Sequence, residues 1–369
     1  MPTPTLPNQT FGSLTLRPYQ THIRASIESH WDQYFGQLII APTGSGKSCT
    51  GLACCSDWLD ANPNGRVVWT AMRRELLHQA EKFMRMMGLD PSRFVFRSTF
   101  ANDWSDVKST PESPILLQTD EAHHAACSSM TDLRNILNPQ NMLGLSATPA
   151  RADHHALGFN RSINESNYDA LIRDGYLSKY EHFTLPDWNP YTVSRIFMAE
   201  RERWGKSVVF FRTRLECEAF MAGLSPEELQ RTALIDGDSD RDALLAQFHD
   251  GNLQALVNMN VLSEGYDEDT IKTVFTRHAG SQTTVTQQAG RVMRLFEGQT
   301  KQVVQSFGSK LFTDIATPEN SYSLSSGGWA KTSTDPRAIV HSMYDVSSLI
   351  IDTSKEQMGG MSLRELLCA

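Results

Sequence analysis

A short apolar run, Gln37 to Ile40, leads into Ala41-Pro42-Thr43-Gly44-Ser45-Gly46-Lys47-Ser48 and then into a stretch of helical composition, Cys49 to Leu59. A strand that turns through glycines into a helix start leaves a row of backbone N–H groups converging on one point. The positive end of the helix dipole lies behind them, and together they bind phosphate. Lys47 carries the charge that neutralises β- and γ-phosphates, and the Ser48 hydroxyl is placed to ligate magnesium. Ala41 stands where the usual phosphate-loop pattern has Gly, but strand, glycines, Lys-Ser and helix are otherwise in order. The segment implies a nucleoside triphosphate site.

Apolar, β-rich runs continue to alternate with helix-like stretches, which predicts parallel sheets covered by helices. In the first half the strand candidates are Leu38–Ile40, Val67–Thr70, Phe94–Arg97, Ile115–Gln118 and Met142–Leu145. After a helical stretch, Tyr168 to Tyr176, the pattern restarts with Ser207–Phe211, Ala233–Ile235, Ala255–Met259, Thr273–Thr276 and Gln302–Ser306. Only the first set carries a phosphate loop. Pro186, Asn189 and Pro190 interrupt the pattern, so the expected division is 1–185 and 186–310. Beyond about Lys310 the chain turns rich in Ser, Thr and Gly, and 311–369 reads as an extension wrapped on the second domain.

The 369 residues suffice for two domains with an appendage. No apolar run approaches the roughly 20 residues that span a bilayer, and no signal-peptide pattern opens the chain. The six cysteines, Cys49, Cys54, Cys55, Cys127, Cys217 and Cys368, include no C-x-x-C pair, so reduced thiols in a cytoplasmic protein are expected. A net charge of −8 excludes a protein that coats nucleic acid with a basic surface. It leaves room for one that grips a strand locally with amides, hydroxyls and a few arginines.

Downstream, Ile115-Leu116-Leu117-Gln118-Thr119-Asp120-Glu121-Ala122-His123-His124 ends an apolar strand in two carboxylates, at the sheet edge where ligands bind. Asp120 is the candidate to hold magnesium, and Glu121 to polarise the water that attacks the γ-phosphate. Ser146-Ala147-Thr148-Pro149 follows the next strand.

Loop, Asp-Glu-Ala-His and Ser-Ala-Thr, in this order and spacing, resemble motifs I, II and III of superfamily 2 helicases. Leu16-Arg17-Pro18-Tyr19-Gln20 resembles the adenine-reading motif, and Thr70 to Leu76 resembles motif Ia. Val208 to Arg214 resembles motif IV, Val257 to Asp267 motif V, and Gln287-Gln288-Ala289-Gly290-Arg291-Val292-Met293-Arg294 motif VI. The resemblance covers residues 14 to 310 and is closest to helicase domains of restriction type III and phage recombination-repair kinds, on Asp120 to His124, Gly265-Tyr266-Asp267 and Asp174-Gly175-Tyr176-Leu177.

That resemblance implies two tandem RecA-like domains, each a mostly parallel sheet flanked by helices, with a short C-terminal extension. It implies ATP and Mg2+ as cofactors and DNA as partner, RNA being the alternative. Arg17, Gln20, Pro42, Thr43, Gly44, Ser45, Gly46, Lys47, Ser48, Gly265 and Asp267 would hold the nucleotide, with Gln20 pairing to the base edge. Lys47, Asp120, Glu121, Arg291 and Arg294 would be catalytic, and Ser48 and Asp120 would hold the metal. His123, Ser146, Thr148 and Gln288 would couple the domains, and Arg73, Arg74, Arg212 and Asn260 would contact nucleic acid. Arg291 and Arg294 lie three apart, so on a helix they share a face. From the second domain they would reach across a cleft to the phosphoryl group, so that ATP clamps the domains and hydrolysis releases them. The alternative activity is a non-unwinding, ATP-gated clamp or remodelling subunit. A bacterial or phage-infected cell is the expected setting.

Other features have plainer readings. His123-His124 and His154-His155 are adjacent pairs whose members point different ways, which makes poor metal clamps. The Asp236–Asp242 stretch has Arg241 where a calcium loop needs glycine, so it reads as a solvated turn with Asp240 capping the helix Arg241–Phe248. Phe210, Phe211 and Phe220 read as core, and Cys54 and Cys55 as helix packing.

Overall fold

In this computed structural model the chain is described at residues 9–122, 128–147, 158–259, 262, 268–276, 282–306 and 316–334. It divides into two compact units: Met1–Ser178 with Asn260–Thr270 and Ser281–Glu297, and Lys179–Met259 with Ile271–Gly280 and Gly298–Ala369.

The first unit opens with a two-residue hairpin, β1 (Thr10–Phe11) and β2 (Leu14–Thr15), followed by α1 (Pro18–Glu28). Pro18 suits the first helical turn, where no N–H is needed, and Gln20 Oε1 accepts from the Arg17 N–H at 2.8 Å to satisfy the helix start. Then come β3 (Gly36–Ile40), α2 (Lys47–Ala61), β4 (Arg66–Ala71), α3 (Arg74–Met86), β5 (Phe94–Ser98), β6 (Ile115–Thr119), α4 (Ser128–Leu137), β7 (Asn141–Ser146), β8 (Arg161–Ile163) and α5 (Tyr168–Arg173). The six sheet strands run in the order β5-β4-β6-β7-β3-β8, and every pair is parallel.

Alternation within single strands builds two cores. Ile39 faces the helices α1 and α2 with Leu52, Trp58 and Trp69, while Leu38 and Ile40 face the other way with Val68, Leu117 and Leu137. Strands β3, β6 and β7 are therefore buried along their whole length, as a parallel sheet covered on both faces requires. Each of the five strands expected here is present, one or two residues longer than anticipated. The sixth, β8, is short and partly polar and gave no apolar run to find. Cys54 and Cys55 pack within α2, fully buried.

The second unit comprises β9 (Tyr180–Leu185), α6 (Pro190–Ala199), α7 (Arg201–Trp204), β10 (Ser207–Phe210), α8 (Arg214–Ala222), α9 (Pro226–Gln230), β11 (Thr232–Ile235), α10 (Arg241–His249), β12 (Ala255–Asn258), β13 (Thr273–Thr276), β14 (Lys301–Ser306), β15 (Asn320–Ser325) and β16 (Gly328–Thr332). Its strand order is β11-β12-β10-β13-β14-β9-β15-β16, parallel but for the final β15–β16 hairpin.

Two expectations change. The division after residue 185 leaves β9 on the wrong side, because β9 is hydrogen-bonded between β14 and β15 of the second sheet. The extension does more than wrap, since β15 and β16 lengthen that sheet. Trp329 on β16 stacks its edge against Phe183 and Trp204, with ring centroids 5.0 and 6.0 Å apart. The phenylalanines Phe210, Phe211 and Phe220 are core, and Asp240 Oδ1 accepts from the Ala243 N–H at 3.1 Å to cap α10.

The segment between β13 and β14 departs from expectation more sharply. Its helix, α11 (Gln282–Gly290), belongs to the first unit. It stops before Arg291, and Arg294 forms an antiparallel bridge with Leu177. The two arginines therefore do not share a helical face. The helix ends at Gly290, the residue type that most readily terminates one.

Candidate nucleotide-binding site

The phosphate loop connects β3 to α2, and its conformation depends on two glycines. Gly44 and Gly46 adopt φ of +81° and +80°, which side-chain-bearing residues rarely reach. At Gly46, which directly precedes α2, a Cβ would also lie 2.6 Å from Gln20 Nε2. The loop is tied down from three directions. Ala41 N–H donates to the Ser146 carbonyl at 3.0 Å, and Ser45 N–H donates to the Pro42 carbonyl at 3.1 Å. The Tyr168 hydroxyl accepts from Thr43 N–H at 3.1 Å.

One cavity of about 320 Å³ opens over this loop, and the first unit supplies all of its lining. Lys47, Ser48, Asp120, Glu121, Arg291 and Arg294 meet there. Asp120 and Glu121 follow β6 at the C-terminal edge of the sheet, where Asp120 N–H donates to the Thr70 carbonyl at 2.9 Å. Glu121 N–H donates to Asp120 Oδ1 at 2.9 Å, and Glu121 itself sits at φ +49°, strained for a residue other than glycine. Burial, and then the charge of Glu121, push the Asp120 carboxyl up to about 7, against the opposing pull of Lys47.

These groups suit magnesium. The Ser48 hydroxyl lies near enough to the Asp120 carboxylate to favour its ionised form, so two hard oxygen donors converge beside the phosphate nest. A carboxyl whose ionisation is opposed by burial and by a second acid gains from a cation at that point. Among the described residues there is no cluster of three or more His, Cys, Asp or Glu that could form an all-protein metal cage.

Arg291 is buried at 5 % exposure, near the Tyr168 hydroxyl. Arg294 lays its stem over the loop, so that a Cβ on Gly44 would meet Arg294 Cγ at 3.2 Å. The backbone holds this segment in place: Ser178 N–H donates to the Met293 carbonyl at 2.9 Å, and Ser178 Oγ to the Arg294 carbonyl at 3.0 Å. Gly290 passes Thr43 so closely that a Cβ would come within 2.8 Å of the threonine Cβ.

Not every sequence candidate reaches the cavity. Gln20 is 4 % exposed, and its Nε2 donates to the Ser45 and Gly46 carbonyls at 3.1 and 3.2 Å, so its amide faces the loop and not an open pocket. Ser146 and Gln288 are buried beside the site's framework and do not line it. Arg73 precedes α3 and Arg74 opens it, with Arg74 exposed, while Arg212 is an exposed residue of the second unit. His123, Thr148, Asn260, Gly265 and Asp267 lie outside the described residues, as does the His154-His155 pair.

Residues around the cavity went unread in the sequence, Tyr168, Tyr176 and Phe83 among them. Tyr168 and Tyr176 sit in a stretch of unremarkable helical composition, and Phe83 is one apolar residue of an amphipathic helix. Tyr176 and Phe83 line the cavity. The Asp174-Gly175-Tyr176-Leu177 segment was the one available signal, and nothing in it assigned the tyrosine a role.

Residues 13–119 match the family described as type III restriction enzyme, res subunit, and residues 190–296 match the helicase conserved C-terminal domain. The chain belongs to helicase superfamily 2. A 51.5 kDa protein of a Lactococcus phage is 24 % identical to this helicase-family chain over 297 residues, covering 73 % of the chain and 65 % of the phage protein. Among solved structures, an ATP-dependent type ISP restriction-modification enzyme bound to DNA aligns with a TM-score of 0.59 at 15 % identity, over 82 % of this chain and 28 % of that one. The helicase MrfA bound to DNA aligns with a TM-score of 0.57 at 15 % identity, over 77 % and 45 % respectively. At these identities the structures share the tandem RecA-like fold. This superfamily 2 chain spans less than two thirds of the length of each of these relatives. No helix among its described residues is long and apolar enough to cross a membrane.

Proposed function

We propose that this chain is an ATP-dependent DNA helicase or translocase, hydrolysing ATP in the cavity over the phosphate loop. The observation that carries the reading is the meeting of Lys47, Ser48, Asp120, Glu121, Arg291 and Arg294 in one cavity. They come from segments nearly 250 residues apart, since 294 − 47 = 247. The loop N–H groups and Lys47 hold the β- and γ-phosphates. Ser48 and Asp120 would hold magnesium, which when bound would draw charge from the phosphate oxygens. Glu121 orients the attacking water and accepts its proton. Arg291 and Arg294 stabilise the charge that builds on the transferring phosphoryl, a contribution typically of about 10³–10⁵ in rate for such arginines.

DNA is the proposed partner, supported by relatives whose solved structures are DNA complexes. Arg73, Arg74, Arg212 and Asn260 are the proposed strand contacts. His123, Ser146, Thr148 and Gln288 pass the state of the nucleotide to the rest of the fold. The arginine segment is connected in sequence to β13 and β14 of the second sheet, which gives hydrolysis a covalent route to that unit. A phage relative supports the cytoplasm of an infected cell as the setting.

The test is ATPase activity with single-stranded, duplex and forked DNA, and with RNA. DNA is expected to stimulate turnover more than RNA does, and Lys47→Ala to reduce stimulated turnover at least about 100-fold without unfolding the protein. Turnover by Lys47→Ala at the wild-type rate refutes the assignment. Strand displacement on a forked duplex separates a helicase from an ATP-gated clamp.

A further inference from the structure

The cavity lining is of two chemical kinds. Lys47, Ser48, Asp120 and Glu121 are the charged and hydroxyl groups of the phosphate site, and Arg17, Tyr176, Phe83 and Leu295 add planar and apolar surface. The Arg17 guanidinium lies over the Tyr176 ring at 5.0 Å from its centroid, and the Tyr19 and Tyr176 rings stand 5.5 Å apart, tilted by 59°. Tyr19 is fixed by its hydroxyl, which donates to the Ser45 carbonyl. Arg17 and Tyr176 are both half-buried, and both line the cavity.

An adenine-selective site needs a hydrogen-bonding group aimed at the base edge. Gln20 is the residue that should supply it, and its amide is already engaged within the protein. Both Nε2 hydrogens are directed at loop carbonyls, Ser45 at 3.1 Å and Gly46 at 3.2 Å, and Oε1 accepts from Arg17 N–H at 2.8 Å. The residue is buried, at 4 % exposure. Its contacts are those of a strut that sets the loop's shape.

We propose that the nucleobase is held by stacking on Tyr176 and Arg17, without edge recognition, so that the site accepts purine nucleoside triphosphates with little discrimination between adenine and guanine. Gln20 acts as a positioning residue for the phosphate loop. Every base has a π-face, so stacking tolerates base identity and falls off with ring area, which favours purines over pyrimidines. This inference rests on the triphosphate reading of the cavity.

The test is competition by ATP, GTP, CTP, UTP and inorganic tripolyphosphate against a fluorescent ATP derivative, with magnesium present. ATP and GTP are expected to bind within about fivefold of each other, and the pyrimidine nucleotides about tenfold more weakly. Tyr176→Ala should weaken both purine nucleotides by about tenfold and leave tripolyphosphate unaffected, and Tyr176→Phe should restore them. Gln20→Ala should weaken all five competitors alike. A preference for ATP over GTP of 100-fold or more that Gln20→Ala abolishes would overturn the proposal, as would equal loss of tripolyphosphate and ATP in Tyr176→Ala. Failure of the unmodified protein to bind any competitor would instead remove the triphosphate reading, and this inference with it.

Discussion

Glu121 is held in a backbone conformation that costs an ordinary side chain about 1–2 kcal/mol, next to a second carboxylate in a largely buried cavity. Both costs serve the placement of one oxygen pair. Two substitutions separate side chain from backbone. Glu121→Gln keeps the strain and removes the proposed base, so turnover should fall at least about 100-fold with little change in stability. Glu121→Asn should lose turnover equally but stand about 0.5–1 kcal/mol above Glu121→Gln in stability, because both remove the same charge and asparagine better tolerates this backbone region. Thermal unfolding with and without nucleotide reads both effects; equal melting temperatures for the two variants would show that the backbone carries no strain. Much of this site was legible before the fold was known, since Lys47, Ser48, Asp120 and Glu121 announce themselves by type and spacing. What a string of letters withholds is where a side chain points. Gln20 is at the expected position, yet its hydrogen bonds go to the loop because the capping of α1 directs its amide that way. Tyr168 and Tyr176 matter through contacts with residues more than 100 positions away, and no local pattern encodes those.

At the level of elements, apolar runs identified the buried central strands and missed the unusual ones. Tyr180–Leu185 carries a glutamate and a histidine, which argues against a core strand until the partners are seen. His182 is fully enclosed, its Nε2 paired with Gln305 Oε1 at 3.1 Å on the neighbouring β14. Burial pushes its pKa down to about 3, so the folded protein keeps the ring neutral while the unfolded chain takes a proton near pH 6.5. The unfolded state thus binds more protons between those values, and stability falls as pH drops below about 6.5, at up to about 1.4 kcal/mol per unit. Urea unfolding of the second unit, followed by exchange protection of the β9 amides, should show this loss between pH 6.5 and 5.5. His182→Gln should flatten it; an unchanged slope in that variant would place the titrating group elsewhere. The helical reading of Arg291 and Arg294 failed at this scale too. Gly290, inside that motif, is the residue type that most readily ends a helix, and α11 stops there.

For the molecule as a whole, charge sets a limit on how nucleic acid can be held. With a net charge of −8 and three arginines, Arg73, Arg74 and Arg212, as the proposed strand contacts among the described residues, few counterions should be released on binding. At about 0.7 per neutralised phosphate on single strands, log affinity should fall against log salt with a slope of about −2. Binding isotherms between about 50 and 200 mM salt measure it, and a slope steeper than about −5 would require a basic surface that these residues do not form. The two α/β sets were readable from periodicity. The exchange of segments between them was not, because a chain that leaves one compact unit for another and returns gives no compositional signal.

The order in which the second sheet is assembled follows from β15. That strand is the neighbour of β9, the first strand of its unit, though some 140 residues separate them, 320 − 180 = 140. A ribosome that has delivered everything through β14 has not yet supplied it. Until residues 320–332 emerge, the nascent sheet carries a bare hydrogen-bonding edge beside Phe183, whose ring stacks on Tyr322 only afterwards. Translation pauses or nicks just short of that point would leave an otherwise finished domain adhesive to its own kind.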